Sequence, residues 1–332
     1  MITIKKIAEK SGFSQATVSR LLNGDETLSI ADETKQRIID TALSLGYERS
    51  KIKTTLEKIA VLFWMTEQEE LQDIYFHKLR LSLEKYGKQN NLEIQMIKHE
   101  DGIEEIDPSI HGFIGIGSFT SKELYQLKEK YPNGVILEVN PQPEIFDTVK
   151  PDTDRMTYLA LNHLIKKGYQ RIGFIGGNYH NPDTDQEDLD SREIIFRQYL
   201  SQKGLLNDNY IFSSGHFTVK QGYELTLELI EKLDSIPEAF FIPSDTIAVG
   251  ALQAFNEKGI SIPDSLEIIS INDNDIAKFV SPPLTTFRID VNEIAKTSID
   301  LLVEQIVAPR TITKTVLVGS ELIVRKSFIP LK

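Results

Sequence analysis

Residues 12–24 read GFSQATVSRLLNG, a short helical pattern with a glycine at either end, in a chain of 332 residues whose formal net charge is -12. Ser14 is a good N-cap and Gly24 a natural stop, so the stretch between them is one helix. At about 100° per residue, Val18, Leu21 and Leu22 share one side, and Ala16, Ser19, Arg20 and Asn23 fall opposite, with Gln15 and Thr17 on the flanks. A helix face that merely meets water usually carries Glu and Lys, which have high helix propensity. This one presents hydroxyl, amide and guanidinium groups, the groups that read base edges.

Working outward, TIKKIAEKSG places Ile4, Ile7 and Ala8 at helical spacing and closes at Gly12,. After the loop DETLSIAD, the stretch ETKQRIIDTALSLGY carries Ile38, Ile39, Ala42, Leu43 and Leu45 on one stripe and ends at Gly46. Two helices joined by a three-residue turn, with a third to cover them, predict a helix-turn-helix over residues 1–47. Residues 48–58, ERSKIKTTLEK, are polar except for Ile52 and Leu56, which suits a linker with a turn or two of helix.

Charge separates this end from the body. Residues 1–58 hold ten Lys and Arg against eight Asp and Glu, whereas the remainder holds 27 against 41. An acidic body discourages unspecific adhesion to nucleic acid, while the mildly basic end remains able to dock on phosphates.

From Ile59 the pattern changes. The runs IAVLFWM, LEIQMI, GFIGIG, GVILEV, RIGFIGG, AFFIPS and LEIISIND alternate with helical segments at 76–90, 154–167, 193–203, 220–233 and 247–258. Continuous apolar strands between helices mean parallel sheets covered on both faces, and the length accommodates two such units. The passage from one to the other is expected near Pro151. The expected division is a first lobe of about 59–150 and 290–317 and a second of about 151–289 and 318–332, the strands TKTVLVG and ELIVRKSF returning to each in turn. The fold class is thus an all-α helix-turn-helix domain followed by a two-lobed α/β effector-binding and dimerisation domain.

Several classes of chemistry lack support. Without cysteine there are no disulfides or thiolate ligands, and the six histidines, at 77, 99, 111, 163, 180 and 216, show no ligand spacing,. GIGSFT at 115–120 lacks the third glycine of a dinucleotide fingerprint. DTDQEDLD at 183–190 imitates a calcium loop but has Asp188 where glycine is needed and Ile194 where glutamate is needed, so it reads as an acidic loop,. No nucleophile elbow or P-loop appears. No catalytic residue, metal or cofactor is expected, and with no apolar span or signal h-region a cytoplasmic location is.

TIKKIAEKSGFSQATVSRLLNG, ETKQRIIDTALSLGY and the two-lobed remainder together resemble the lactose-repressor/galactose-repressor family of bacterial transcription regulators. RIGFIGG, REIIFRQY, SDTIAVGALQAFNEKGISIPDSLEIISIND and SPPLTTFRI are most like the repressor of evolved β-galactosidase and galactose-operon repressors. The resemblance implies a recognition helix in the major groove, with Gln15 and Ala16 choosing the operator and Arg20 adding a base contact. Thr3, Ser14, Thr17, Ser19 and Asn23 would hold phosphates. It also implies that residues 48–58 form a hinge helix on DNA, with Leu56 wedged into the minor groove beside Lys53 and Thr54. Arg49 and Ser50 depart from the customary proline and asparagine. Without DNA, a loose tether is the expected state.

For the effector, the resemblance assigns Arg192 to sugar hydroxyls, Phe217 to an aromatic platform and Asp273 to a sugar-binding acid. Ser244 and Asp245 follow a strand, where one of them is expected to cap a helix and a ligand contact is left open, Ser244 being assigned to the effector site. Asp73, Tyr75, Phe76 and Glu138 match rim positions on the first lobe. Such a set suits a neutral polyol, with galactose or a β-galactoside as inducer. The expected partners are operator DNA, a sugar and a second copy, since SFIPLK ends the chain without a leucine heptad extension for a tetramer. Two alternatives are a carbon-catabolite regulator with a phosphoprotein corepressor and, in another class, a sugar-binding receptor.

Overall fold

The computed structural model describes residues 2–25, 27–65 and 74–331. Three helices, α1 (Ile4–Ser11), α2 (Gln15–Leu22) and α3 (Asp32–Ser44), form the amino-terminal unit. Thr3 caps α1 by accepting from Lys6 N, and Ser14 caps α2 by accepting from Thr17 N at 3.0 Å. Gly12 ends α1 in the left-handed region at φ 81°, which turns the chain directly into α2,. Ile7, Val18, Leu22, Ile38 and Ala42 are buried at the common centre, and Ile52 from beyond α3 completes it.

The first sheet contains β1 (Glu57–Trp64), β2 (Leu92–Lys98), β3 (Gly112–Gly117), β4 (Gly134–Leu137), β5 (Asp147–Pro151) and β13 (Thr315–Val318). Its order is β13-β5-β4-β3-β1-β2, parallel throughout. Along β1, Ile59, Val61 and Phe63 enter one core while Ala60, Leu62 and Trp64 enter another. Both faces are covered, which is why the strand reads as an unbroken apolar run. Helices α4 (Ile74–Gln89), α5 (Ser121–Lys130) and α10 (Val291–Val307) pack around this sheet.

The second sheet has the order β14-β12-β11-β10-β6-β9. Its strands are β6 (Ile172–Gly176), β9 (Ile211–Ser213), β10 (Ala239–Ile242), β11 (Glu267–Asn272), β12 (Thr285–Arg288) and β14 (Glu321–Ile323), with only β14 antiparallel to its neighbour. Around it lie α6 (Thr153–Lys166), α7 (Ser191–Lys203), α8 (Val219–Lys232) and α9 (Asp245–Glu257). The chain passes between the sheets three times, at β5 to α6, β12 to α10 and β13 to β14. A separate hairpin, β7 (Asn178–Asn181) and β8 (Gln186–Leu189), leaves the end of β6. The segment around DTDQEDLD is therefore partly strand rather than a plain acidic loop.

Helices α8 and α9 approach backbone to backbone at Gly222 and Gly250. A Cβ at Gly250 would overlap the Val219 carbonyl oxygen, and one at Gly222 the Ile247 carbonyl oxygen. Neither obstacle is a flexible side chain, so the helices themselves would have to part. Gly250→Ala is expected to cost about 3 kcal/mol, seen as an earlier urea midpoint with the slope unchanged. A midpoint equal to wild type would contradict this packing.

Without DNA the linker is not helical. Only a single 3-10 turn, Arg49–Lys51, interrupts it before the chain extends into β1. It is also not loose: Lys53 N donates to Leu22 O (2.8 Å), Thr54 Oγ1 to Leu21 O, and Leu56 N to Asn91 O (2.8 Å). Ile52 and Leu56 add apolar surface to the helix-turn-helix core, and Arg49 pairs with Glu57. The spacing of Ile52 and Leu56, read in sequence as a helical turn, serves instead to press an extended strand end onto α2.

No helix among the described residues is long and apolar enough to cross a membrane.

Candidate functional site

On α2 the buried residues are Val18, Leu21 and Leu22, and Gln15, Ala16, Arg20 and Asn23 are exposed. Thr17 and Ser19 are half-buried. Most of the polar groups on this face already have local partners. Thr17 Oγ1 lies 2.8 Å from Ser14 Oγ, and Asn23 Nδ2 donates to Ser19 O at 2.8 Å. Arg20 Nε donates to Asp25 Oδ2 at 2.7 Å and Nη2 to Thr27 Oγ1 at 2.9 Å. These bonds from Arg20 and Thr27 hold the Asp25 carboxyl down at about 2. A carboxylate thus stands directly behind the helix, a feature the face of α2 alone did not reveal. Gln15 and Ala16, at the first turn, have no such neighbour fixing them among the described hydrogen bonds. Thr54 and Leu56 are turned to α2 and the helix-turn-helix core, so contact with DNA would require them to leave those partners.

Between the lobes lies a cavity of about 720 Å³. It opens at the carboxyl ends of strands of both sheets, the usual position for ligands in open α/β folds. Tyr75, Phe76, Glu138, Arg192, Phe217 and Ser244 all line it. Arg192 is the most heavily constrained of them. Asp190 caps α7 and takes Arg192 Nε at 2.6 Å and Nη2 at 2.8 Å, while Nη1 donates to Pro243 O at 2.7 Å. The guanidinium carbon stands 4.6 Å from the centre of the Phe217 ring. Burial pushes the Asp190 carboxyl up, but the charge and hydrogen bonds of Arg192 outweigh it, leaving Asp190 below the usual carboxylate range. On the first lobe, Tyr75 OH donates to Glu138 Oε1, and Glu138 has a left-handed backbone at φ 63°.

Ser244 takes both roles, capping a helix and lining the cavity, and Asp245 takes no place in the cavity lining. Ser244 caps α9 by accepting from Thr246 N at 3.2 Å, and Asp245 is wholly buried, accepting from Asn274 N and Thr286 Oγ1 at 2.8 Å each. Burial pushes the Asp245 carboxyl up to about 7. A carboxyl raised in the folded state adds stability that is full below its unfolded value near 4 and is lost as pH rises through about 7,. Asp245→Asn should therefore gain stability relative to wild type between pH 5 and 8, read from urea midpoints at both. Parallel midpoints would contradict the burial of an ionisable group there.

Asp273 departs from the expectation. Its carboxylate, 3% exposed, is held by Arg325 Nη2 at 2.5 Å and Arg288 Nε at 2.9 Å, and it borders a smaller recess with Lys78 and Asp290 instead of the main cavity. Asn272 and Asp273 have φ of 118° and 55°, and this left-handed pair leaves Asn272, not Asp273, lining the cleft. Asp73 lies outside the described residues.

Asp190, Lys150, Asn272 and a group of aromatic and imidazole side chains at Trp64, His99, His180 and His216 also line the cavity, unanticipated from the sequence. Asp190 had a signal, since an acid two residues before an arginine at a helix start is a cap and a partner at once. Gly117, within GIGSFT, lets the end of β3 approach the Trp64 carbonyl at φ 108°, a packing reason for that glycine unrelated to a nucleotide.

Comparison with known proteins agrees with this architecture. Residues 3–50 match the lacI family of bacterial regulatory proteins, and residues 161–328 match the periplasmic binding protein-like domain. The HTH-type transcriptional regulator GanR of Bacillus subtilis (strain 168) is 48% identical over 328 residues, 98% of this chain and 99% of its own. LacR of Lactobacillus helveticus, also an HTH-type transcriptional regulator, is 38% identical over 99% of each chain. Among solved structures, the lac repressor dimer bound to operator and the anti-inducer ONPF superposes with a TM-score of 0.69 at 19% identity, covering 98% of each chain. The regulator CelR in complex with cellobiose gives 0.70 at 21% identity, over 99% of this chain and 100% of its own. The chain belongs to the lacI family of bacterial transcriptional regulators.

Proposed function

We propose that this regulator represses a sugar-utilisation operon and is released from its operator by galactose or a β-galactoside bound between the lobes. The observation that carries the reading is Arg192, fixed by Asp190 and Pro243 and laid over Phe217 in a cavity shared by both lobes. An oriented guanidinium beside an aromatic face offers hydroxyl recognition and an apolar platform in one place, which is what a pyranose presents. Two copies would set two α2 helices on the halves of a pseudo-palindromic operator, with Gln15 and Ala16 reading bases and Arg20 exchanging Asp25 for a base contact. Thr3, Ser14, Thr17, Ser19 and Asn23 would meet phosphates, and Thr54 and Leu56 would leave α2 for the groove. Sugar binding favours the lobe arrangement in which the two DNA-binding units separate, and its differential affinity for the two arrangements is what drives release. The protein acts in the cytoplasm.

The test is a gel shift of labelled operator titrated with galactose, lactose and fructose phosphates. Galactose or lactose should release the DNA and the phosphates should not. Retention unchanged by any sugar, with calorimetry detecting no binding, would overturn the proposal.

A further inference from the structure

The β7–β8 hairpin serves no core. All four residues of β8 are exposed, and none of the hairpin belongs to a hydrophobic cluster. Its tip nevertheless has a defined shape: Asp183 N donates to Asn181 Oδ1 (3.0 Å), Asn181 Nδ2 donates to Asp188 Oδ2 (2.8 Å), and Asp185 takes a left-handed φ of 54°. The shape places Asp183 against the other lobe. Its carboxylate accepts from Ser121 N at 2.8 Å and Ser121 Oγ at 2.5 Å. Ser121 is the first residue of α5, so a negative group sits on the positive end of a first-lobe helix. Gln142 Nε2 donates to the same hydroxyl at 2.9 Å, anchoring the receiving side.

Beneath this clasp, His180 and Pro182 of the hairpin line the main cavity together with Trp64, His99 and Glu123 of the first lobe. Trp64, the only tryptophan in the chain, is stacked on Phe119 at 5.1 Å, meets His99 edge-on at 5.1 Å and donates Nε1 to Glu123 Oε1 at 2.8 Å. Trp64 is 3% exposed and backs this wall, so the accessible groups on the first lobe are the His99 ring and the Glu123 carboxylate, facing a cavity whose Arg192 and Phe217 come from the second lobe; an imidazole and a carboxylate supply donors and acceptors for hydroxyls,. The shared cavity, about 720 Å³, is in the range of pockets for drug-sized ligands and has room for about two linked pyranoses or more, far beyond one hexose,.

We propose that the hairpin is a strap closing a second pyranose subsite, walled by Trp64, His99 and Glu123 on one lobe and by His180 and Pro182 on the other, so that the effector is an oligosaccharide. The proposal rests on the sugar response proposed above and names its chemical class. A monosaccharide at Arg192 leaves the strap without a load. A disaccharide that reaches both the hairpin and the Trp64 wall is held better when Asp183 is on α5, and so favours the lobe arrangement that the clasp requires.

Calorimetry with galactose and lactose on the full chain, wild type, Asp183→Ala and His180→Ala, tests this, with Trp64 emission as a second readout. Wild type should bind lactose at least about tenfold more tightly than galactose, and lactose alone should shift the emission. Asp183→Ala and His180→Ala should each shrink that advantage by about threefold to tenfold, with galactose affinity unchanged, as expected for loss of a charge-assisted or polar contact. Equal affinity of wild type for the two sugars, or an advantage untouched in both variants, would overturn the subsite while leaving the sugar response standing. Binding of neither sugar would overturn both.

Discussion

Arg192→Ala is expected to leave operator affinity within about threefold of wild type while weakening β-galactoside binding on the order of 100-fold, the loss of two charge-assisted hydrogen bonds. The operator should then remain bound at sugar concentrations that release the wild type. The effect follows from how the side chain is fixed. Asp190 and the Pro243 carbonyl together hold Nε, Nη1 and Nη2, and the guanidinium carbon stands over the Phe217 ring, 4.6 Å from its centre. A guanidinium so oriented gives up little freedom on meeting a ligand, and that preorganisation is what makes its hydroxyl contacts strong. Arg192→Lys keeps the charge but not the fork, and should fall between the two. Arg192→Ala also leaves the part-buried Asp190 without its partner, so thermal denaturation must accompany the assay. A cooperative transition retained alongside the lost response is the expected pair of results. An unchanged sugar affinity would contradict the placement of the effector.

Exchanging Gln15 and Ala16 for other residues should do the opposite, preserving the sugar response and moving the preference among operators. Both side chains are exposed at the first turn of α2 and neither carries core contacts, so stability should stay within about 0.5 kcal/mol of wild type,. Each altered base contact is worth about 1–3 kcal/mol, or roughly tenfold to a hundredfold in preference at the matching position. Selection from a randomised operator library by wild type and by a Gln15 variant would show it. Identical selected sequences would mean that α2 does not read the groove through its first turn.

The amino-terminal unit was legible because its signals are local. Ser14 caps, Gly12 turns the chain and Val18, Leu21 and Leu22 face inward as their spacing requires. The doubly covered strands were legible for the same reason, since burial on both faces leaves an unbroken apolar run. What escaped was held together by distant partners. Helix α5 has only Leu124 and Leu127 buried, and its clearest mark is the Thr120–Glu123 capping box rather than an apolar stripe. The β7–β8 hairpin buries neither face, so no alternation betrays it, and its tip is positioned by Ser121 from the other lobe. Asp273 shows a different limit: the left-handed backbone at 272–273 decides which side chain enters the cleft, and sequence spacing carries no trace of it. The linker is held rather than loose without DNA because Ile52 and Leu56 fit a core edge as well as a helical turn, and the helix-turn-helix core had an open position for Ile52.

The central claim is that one site on each end of this molecule is coupled to the other. Coupling of this kind is reciprocal, so the factor by which sugar weakens operator binding must equal the factor by which operator weakens sugar binding. Calorimetric titration of lactose into the protein, alone and saturated with operator DNA, measures the second factor. The account predicts a loss of sugar affinity in the presence of operator equal to the loss of operator affinity in the presence of sugar. A sugar affinity indifferent to operator, with the sugar bound and the DNA bound, would contradict it.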